Sequence, residues 1–91
     1  MMPLYAVICK DKEGALPIRQ ENRPAHLDYI NETGIVMLGG PLMEDGKMCG
    51  SLVILEAPDL DAAKAWAAGD PYGKAGLFES VSVTEWKKVI G

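Results

Sequence analysis

Residues 35–55 read IVMLGGPLMEDGKMCGSLVIL, and this stretch decides the fold of the chain. Ile35–Leu38 and Gly50–Leu55 are apolar runs typical of strands, and Asp45-Gly46 between them is a strong hairpin signal. We expect Gly39-Gly40-Pro41 to end the first strand of this hairpin. Neither run alternates with polar residues, which predicts a sheet that is covered on both faces.

A strand and a helix are predicted before this hairpin. Leu4–Cys9 (LYAVIC) is rich in strand formers. Asn22 can cap a helix with Pro24 in its first turn, or the helix begins near Ile18 and Pro24 only bends it. Gly34 follows the last helical residue, where a left-handed conformation is favoured.

A second helix and a last strand are predicted after the hairpin. Asp59 is a good N-cap, and Gly69 ends the helix. Leu77–Trp86 alternates, which places Val81 and Val83 on one face of the strand and Phe78 on the other.

The order of elements is therefore β-α-β-β-α-β, an α+β ferredoxin-like sandwich. Its two helices can cover only one face of the sheet, and no further element is left for the other face. A second copy of the chain is the natural cover, so the sequence predicts a homodimer.

The bulk properties narrow the class of protein. With 91 residues, the chain is predicted to be one domain spanning 1–91, and its formal charge of −4 without a basic cluster argues against nucleic-acid binding. No segment resembles a signal peptide or a membrane span, so we expect a cytoplasmic protein that does not bind membranes. Cys9 and Cys49 lack the spacing of a metal site; free thiols are favoured over a disulfide, and no metal is expected.

Two residues are candidates for proton transfer. His26 is the only histidine, and its side chain is the natural proton carrier near neutral pH, although a lone helical histidine is more often structural. Asp70 precedes Pro71, so it can simply cap a short helix. Alternatively, its carboxylate orients the imidazole of His26; the sequence spacing leaves both interpretations open.

Candidates for substrate binding are less specific. Arg19 and Arg23 precede His26, and Arg23 can bind an anionic oxygen or act as a solvated helix charge. Ser51 can offer a hydroxyl to a pocket, although a strand serine usually fills space.

An ordered set of short segments makes the chain resemble the YciI-like (YCII-related) family. The segments span nearly the whole chain: Arg23–Leu27 (RPAHL), Gly39–Pro41 (GGP), Gly50–Ile54 (GSLVI), Ala62–Trp66 (AAKAW), Asp70–Tyr72 (DPY), Ala75–Leu77 (AGL) and Val83–Lys88. The resemblance implies a dimeric α/β barrel in which two four-stranded sheets face each other. It also implies a pocket with a His-Asp pair, here His26 and Asp70, with Arg23 and Ser51 as substrate-binding residues.

The resemblance leaves two functions open. One is a cofactor-independent lyase or isomerase acting on a small anionic or phenolic molecule. One branch of the family resembles a dehydrochlorinase, and related barrels include muconolactone isomerases and monooxygenases without cofactors. The other is a non-catalytic dimer that binds a small ligand or acts as an accessory protein.

Overall fold

Four strands form one antiparallel sheet in the computed structural model, which describes residues 2–91. The strands lie in the order β2-β3-β1-β4, and the chain has the predicted ferredoxin-like fold. The elements follow one another as β1 Leu4–Asp11, α1 Leu16–Thr33, β2 Val36–Glu44, β3 Lys47–Glu56, α2 Leu60–Gly69, α3 Pro71–Lys74 and β4 Phe78–Trp86.

The hydrophobic core lies between the helices and one side of the sheet, here called the helix face. Tyr5 and Val7 of β1 pair with Leu55 and Val53 of β3, and all four side chains are buried on this face. Trp66 of α2 packs against them. Because side chains alternate along a strand, the intervening residues of β1 and β3 point to the opposite, open face.

Local signals fixed several boundaries as predicted. Gly34 ends α1 in the left-handed region at φ 65°, and the Asp59 carboxylate accepts a hydrogen bond from the Ala62 N–H, 2.8 Å away, at the start of α2. Asp45 and Gly46 both have positive φ in the β2–β3 hairpin, which is the backbone of a type I′ turn.

The first helix begins earlier than an Asn22 cap requires. It begins at Leu16, with Pro17 in its first turn and Pro24 in its interior. Asn22 is a mid-helix residue whose side-chain amide donates to the Ile18 carbonyl. The Asn22 cap is therefore wrong and the alternative, an earlier start near Ile18, is right; Pro24 costs one backbone hydrogen bond but does not end the helix.

Two strand predictions also fail for tertiary reasons. Gly39-Gly40-Pro41 does not end β2, which continues to Glu44. Because β2 is an edge strand, it tolerates a proline that cannot donate to the ladder. In β4, a register shift brings Phe78 opposite Asp11, and Phe78 packs against the same core as Val83 rather than facing away from it.

The open face of the sheet carries exposed apolar side chains. Ile8 and Leu38 are 46% and 57% exposed, and Trp86 on the neighbouring edge strand is 39% exposed. The pairing Ile8–Leu52 and Leu38–Ile54 places these residues opposite the helix face. Among residues 2–91, no helix is long and apolar enough to cross a bilayer.

Two hydrogen bonds hold α1 against α2. The Trp66 Nε1–H donates to Thr33 Oγ1 at 2.9 Å, and the Tyr29 hydroxyl donates to the Trp66 carbonyl at 2.8 Å. Gly69 sits under Tyr29 so closely that a Cβ there would come within 2.5 Å of the phenol oxygen. The end of α2, and with it Asp70, is thereby held beside the middle of α1.

Candidate functional site

The structure brings His26 and Asp70 into direct contact, although 44 residues separate them in the chain. Nδ1 of His26 lies 2.8 Å from Oδ1 and 3.0 Å from Oδ2 of Asp70, and both side chains are buried. An ionised carboxylate can only accept hydrogen bonds, so Nδ1 carries a proton in this pair. In the neutral imidazole, Nε2 then has a free lone pair.

Asp70 also caps the short helix α3. Its Oδ1 accepts a hydrogen bond from the Tyr72 N–H at 3.0 Å. The sequence offered helix capping and histidine binding as alternatives, and the structure shows one carboxylate making both contacts. The backbone of α3 thereby holds the Asp70 carboxylate in place, and with it the position of His26 Nδ1.

Arg19 is a site residue to which the sequence alone gave no role. It is only 2% exposed. Its Nε and Nη2 donate to the two carboxylate oxygens of Asp11 at 2.7 and 2.8 Å, and Nη2 also donates to Ser51 Oγ at 2.9 Å. Burial acts to lower the pKa of Arg19, but the hydrogen bond and charge of Asp11 outweigh burial and leave that pKa above its ordinary value.

Helical spacing in the sequence could have identified Arg19 as a site residue. Arg19, Arg23 and His26 stand at i, i+4 and i+7, and these positions share one face of a helix. A helix that begins at Asn22 excludes Arg19 from that face, so the wrong helix start hid this residue. Arg23, the predicted anion-binding residue, is exposed at the rim of the same cavity.

A cavity of about 250 Å³ opens between α1 and strands β2 and β3. Its polar lining consists of Arg19, Arg23, His26, Ser51 and Tyr72. Of the four predicted site residues, only Asp70 does not line it. Asp70 and Asp11 lie behind His26 and Arg19, and their carboxylates are engaged there. In a chain of net charge −4, the cavity therefore presents cationic and hydrogen-bond-donating groups.

The remaining lining is apolar or backbone. Leu27 and Ile30 of α1 and Met48 of β3 form apolar walls. Gly39 and Gly40 contribute bare backbone, and Gly39 has only van der Waals room for a Cβ, 3.4 Å from the Leu52 carbonyl oxygen and a Val53 methyl. The cavity therefore combines apolar walls with a few convergent polar groups, as small-molecule sites do.

A larger hollow of about 420 Å³ lies elsewhere, between α2 and β4. Its walls are mostly apolar, and Lys64 is its only charged side chain. It holds no residue that could transfer a proton near neutral pH. The smaller cavity is therefore the candidate active site.

The two thiols are the other reactive groups of the chain. Cys9 is buried, and burial, reinforced by the charge of Asp70, raises the pKa of its thiol to about 12. A thiol with this pKa is not a nucleophile at neutral pH. Cys9 and Cys49 are both free, and residues 2–91 contain no cluster of three or more His, Cys, Asp and Glu side chains suited to a metal ion.

Comparison with known proteins finds matches over almost the whole chain. The sequence profile of the YCII-related domain matches residues 3–87. Protein YciI of Escherichia coli O6:H1 is 40% identical over 97 residues, which cover 96% of this chain and 99% of that protein. An uncharacterized protein of Haemophilus influenzae is 34% identical and covers 94% of this chain and 98% of its own length.

Solved structures agree with the fold. The 5-chloro-2-hydroxyhydroquinone dehydrochlorinase TftG from Burkholderia phenoliruptrix AC1100, in complex with 2,5-dihydroxybenzoquinone, superposes with a TM-score of 0.84 at 35% identity and covers 92% of this chain and 93% of its own. A dimeric ferredoxin-like protein of unknown function from Bacteroides fragilis has a TM-score of 0.57 at 17% identity and covers 96% of both chains.

Proposed function

This chain belongs to the YCII-related family, and we propose that it is a cofactor-independent lyase or isomerase in which His26 moves a proton on a small anionic or phenolic molecule. The observation that carries the proposal is the buried His26–Asp70 contact at 2.8 Å at the wall of a cavity. The similarity to a dehydrochlorinase at 35% identity supports a lyase-type reaction.

His26 acts first as a base in this proposal. With Nδ1–H donated to Asp70, the Nε2 lone pair is free to accept a proton from a substrate in the cavity. The imidazolium that forms lies next to the Asp70 carboxylate, which stabilises its charge without taking the proton. The same Nε2–H can then return the proton to another atom of the intermediate, which gives an isomerisation, or assist a leaving group, which gives an elimination.

The cationic lining selects the substrate. Arg23 is exposed at the rim and can bind a carboxylate or phenolate in a bidentate way. Ser51 accepts a hydrogen bond from Arg19, so its own hydroxyl proton is available to a ligand oxygen. Arg19 holds Ser51 in place and adds positive charge close to the oxygen whose negative charge grows as His26 removes a proton.

The size of the cavity limits the substrate to a small molecule. A volume of about 250 Å³ corresponds to roughly eight water molecules at about 30 Å³ each. A substituted single ring fits this space, and the 2,5-dihydroxybenzoquinone bound to TftG is a molecule of this size class.

The functional unit in this proposal is a homodimer. The exposed apolar residues Ile8, Leu38 and Trp86 on the open face of the sheet form the kind of surface that a partner covers. A second copy packed sheet against sheet covers that face. A protein of the same ferredoxin-like fold from Bacteroides fragilis is dimeric, which supports this part of the proposal.

A turnover assay of the single histidine tests the proposal. We expect the protein to release chloride from 5-chloro-2-hydroxyhydroquinone, and His26→Ala to lose about 10²–10⁴-fold of that rate while remaining folded. The matched control is Asp28→Ala, an exposed position on the same helix, which should leave the rate unchanged.

Two results count against the proposal. If His26→Ala unfolds, the histidine is structural. If the wild-type protein binds 2,5-dihydroxybenzoquinone without turning over the chlorinated compound or related phenols and lactones, the non-catalytic ligand-binding function is favoured instead.

A further inference from the structure

Tyr72 lies in direct contact with the proposed catalytic histidine and has no assigned role. It belongs to the short helix α3, and its side chain is only 2% exposed. Its ring is stacked on the imidazole of His26, with 4.0 Å between ring centroids and 15° between ring planes. The backbone N–H of the same residue donates to Asp70, the partner of that imidazole.

The two contacts constrain His26 in different ways. The carboxylate of Asp70 fixes the position of Nδ1, but a hydrogen bond to one atom leaves the ring free to rotate about the line that joins donor and acceptor. The outer side-chain torsion of histidine has a broad energy well and does not prevent this rotation. A parallel aromatic ring in van der Waals contact does prevent it, because any tilt drives one edge of the imidazole into the phenol.

Tyr72 is itself held in place by its neighbours. Phe78 packs against it edge-on, at 6.1 Å and 84°. The guanidinium carbon of Arg19 lies 4.7 Å from the Tyr72 ring centroid, and Arg19 is fixed by Asp11 and Ser51. One ring therefore connects the anion-binding side of the cavity with the proton-transfer side.

We propose that Tyr72 is a positioning residue that fixes the plane of the His26 ring and so aims Nε2 into the cavity. The aromatic face is what the role requires, and the phenol hydroxyl is dispensable. The inference rests on the proposed function for its consequence in catalysis, because a misaimed base loses rate even when the substrate still binds. Its structural content, the fixed imidazole plane, stands independently of any substrate.

The single histidine makes a substrate-free test possible, because its ring signals in an NMR spectrum cannot be confused with those of another residue. In the wild-type protein we expect contacts between the His26 and Tyr72 ring protons and an upfield ring-current shift of the imidazole protons. Tyr72→Phe should keep both signals, whereas Tyr72→Leu should lose the shift and broaden or split the imidazole resonances. Tyr5→Leu, which removes another buried tyrosine from the core, should leave them unchanged.

The kinetic readout is the division between kcat and KM. With the substrate of the turnover assay, Tyr72→Leu should lower kcat about 10–100-fold while KM changes less than about threefold, and Tyr72→Phe should resemble the wild type. If Tyr72→Leu is folded, shows one sharp set of imidazole signals and keeps the kcat of the wild type, Tyr72 is only a core residue and the inference is wrong.

Failure of the Tyr72→Leu variant to fold does not remove the test. Wild-type imidazole protons at unshifted positions, or without contacts to the Tyr72 ring, overturn the inference by themselves. A protein that shows the ring contacts but no turnover retains the positioning role and loses the proposed enzyme function, so the two failures can be distinguished.

Discussion

Asp70 makes two contacts through one carboxylate, and a pair of substitutions separates them. Asp70→Asn keeps an oxygen that can accept the Tyr72 N–H bond at 3.0 Å but removes the charge beside His26. Asp70→Ala removes both contacts. The pair therefore distinguishes the structural role of this residue from its effect on the imidazole.

The structure sets the expected magnitudes. Loss of the helix cap costs about 1 kcal/mol, and loss of a buried hydrogen bond to a charged group costs about 1.5–3 kcal/mol. Asp70→Ala should thus lower the free energy of unfolding by about 3 kcal/mol, which for a domain of this size lowers Tm by roughly 12–24 °C. Asp70→Asn should cost less than about 2 kcal/mol because the cap remains.

Turnover of Asp70→Asn should fall strongly although its stability falls little. An asparagine amide can donate to Nδ1, which favours the imidazole tautomer with its proton on Nε2 and removes the base from the cavity. We expect Asp70→Asn to lose about 10²–10⁴-fold in turnover despite its modest loss of stability. Urea denaturation and the chloride-release assay on the same samples give both quantities, and Asp59→Asn, at another helix N-cap, is the control.

The account is refuted if Asp70→Asn retains nearly full turnover. A large loss of stability in Asp70→Asn, equal to that of Asp70→Ala, would also contradict it, because the charge would then be needed for folding and not for orienting the imidazole.

Three further predictions concern the surroundings of the site. The side chains of Arg19 and Asp11 are only 3% and 6% exposed, so Arg19→Met leaves a buried carboxylate without its partner. Urea denaturation should show a loss of about 3–5 kcal/mol in the free energy of unfolding. The double variant with Asp11→Leu should recover much of this loss. Leu38→Lys on the open face should shift sedimentation from a dimer to a monomer, whereas Leu60→Lys, an exposed leucine outside the sheet, should not; an unchanged dimer would place the interface elsewhere. The pKa of Cys9 is raised to about 12 from 9.0, so the folded state binds this proton more tightly than the unfolded state. The free energy of unfolding should therefore fall as pH rises from 9 towards 12, and it should fall less in Cys9→Val. Equal losses in both proteins would contradict the raised pKa.

Local chemistry made much of the fold predictable. Gly34, Asp59 and Asp45-Gly46 act through their own backbone preferences, so their roles follow from the sequence without knowledge of the rest of the molecule. Pro24 and Gly39-Gly40-Pro41 misled for the opposite reason. Their effects depend on whether tertiary packing compensates a lost hydrogen bond, and in α1 and the edge strand β2 it does.

The site residues also differ in whether local sequence or tertiary packing determines their position. Spacing within α1 was sufficient to place Arg19 beside His26, once the helix start was correct. The contact between His26 and Asp70 joins residues on different elements, so no spacing rule reaches it, and the expectation came from the family resemblance. The stacking of Tyr72 on His26 depends on the direction of a four-residue helix and left no pattern in the sequence.

Ligand titration followed through the one imidazole tests the central claim most directly. If His26 faces an anion-binding cavity with Nδ1 bonded to Asp70, added 2,5-dihydroxybenzoquinone should shift its Nε2 and Cε1–H resonances saturably, and Arg23→Gln should weaken that response. Imidazole resonances that do not move at any ligand concentration, in a protein shown by other signals to bind the compound, would contradict the account.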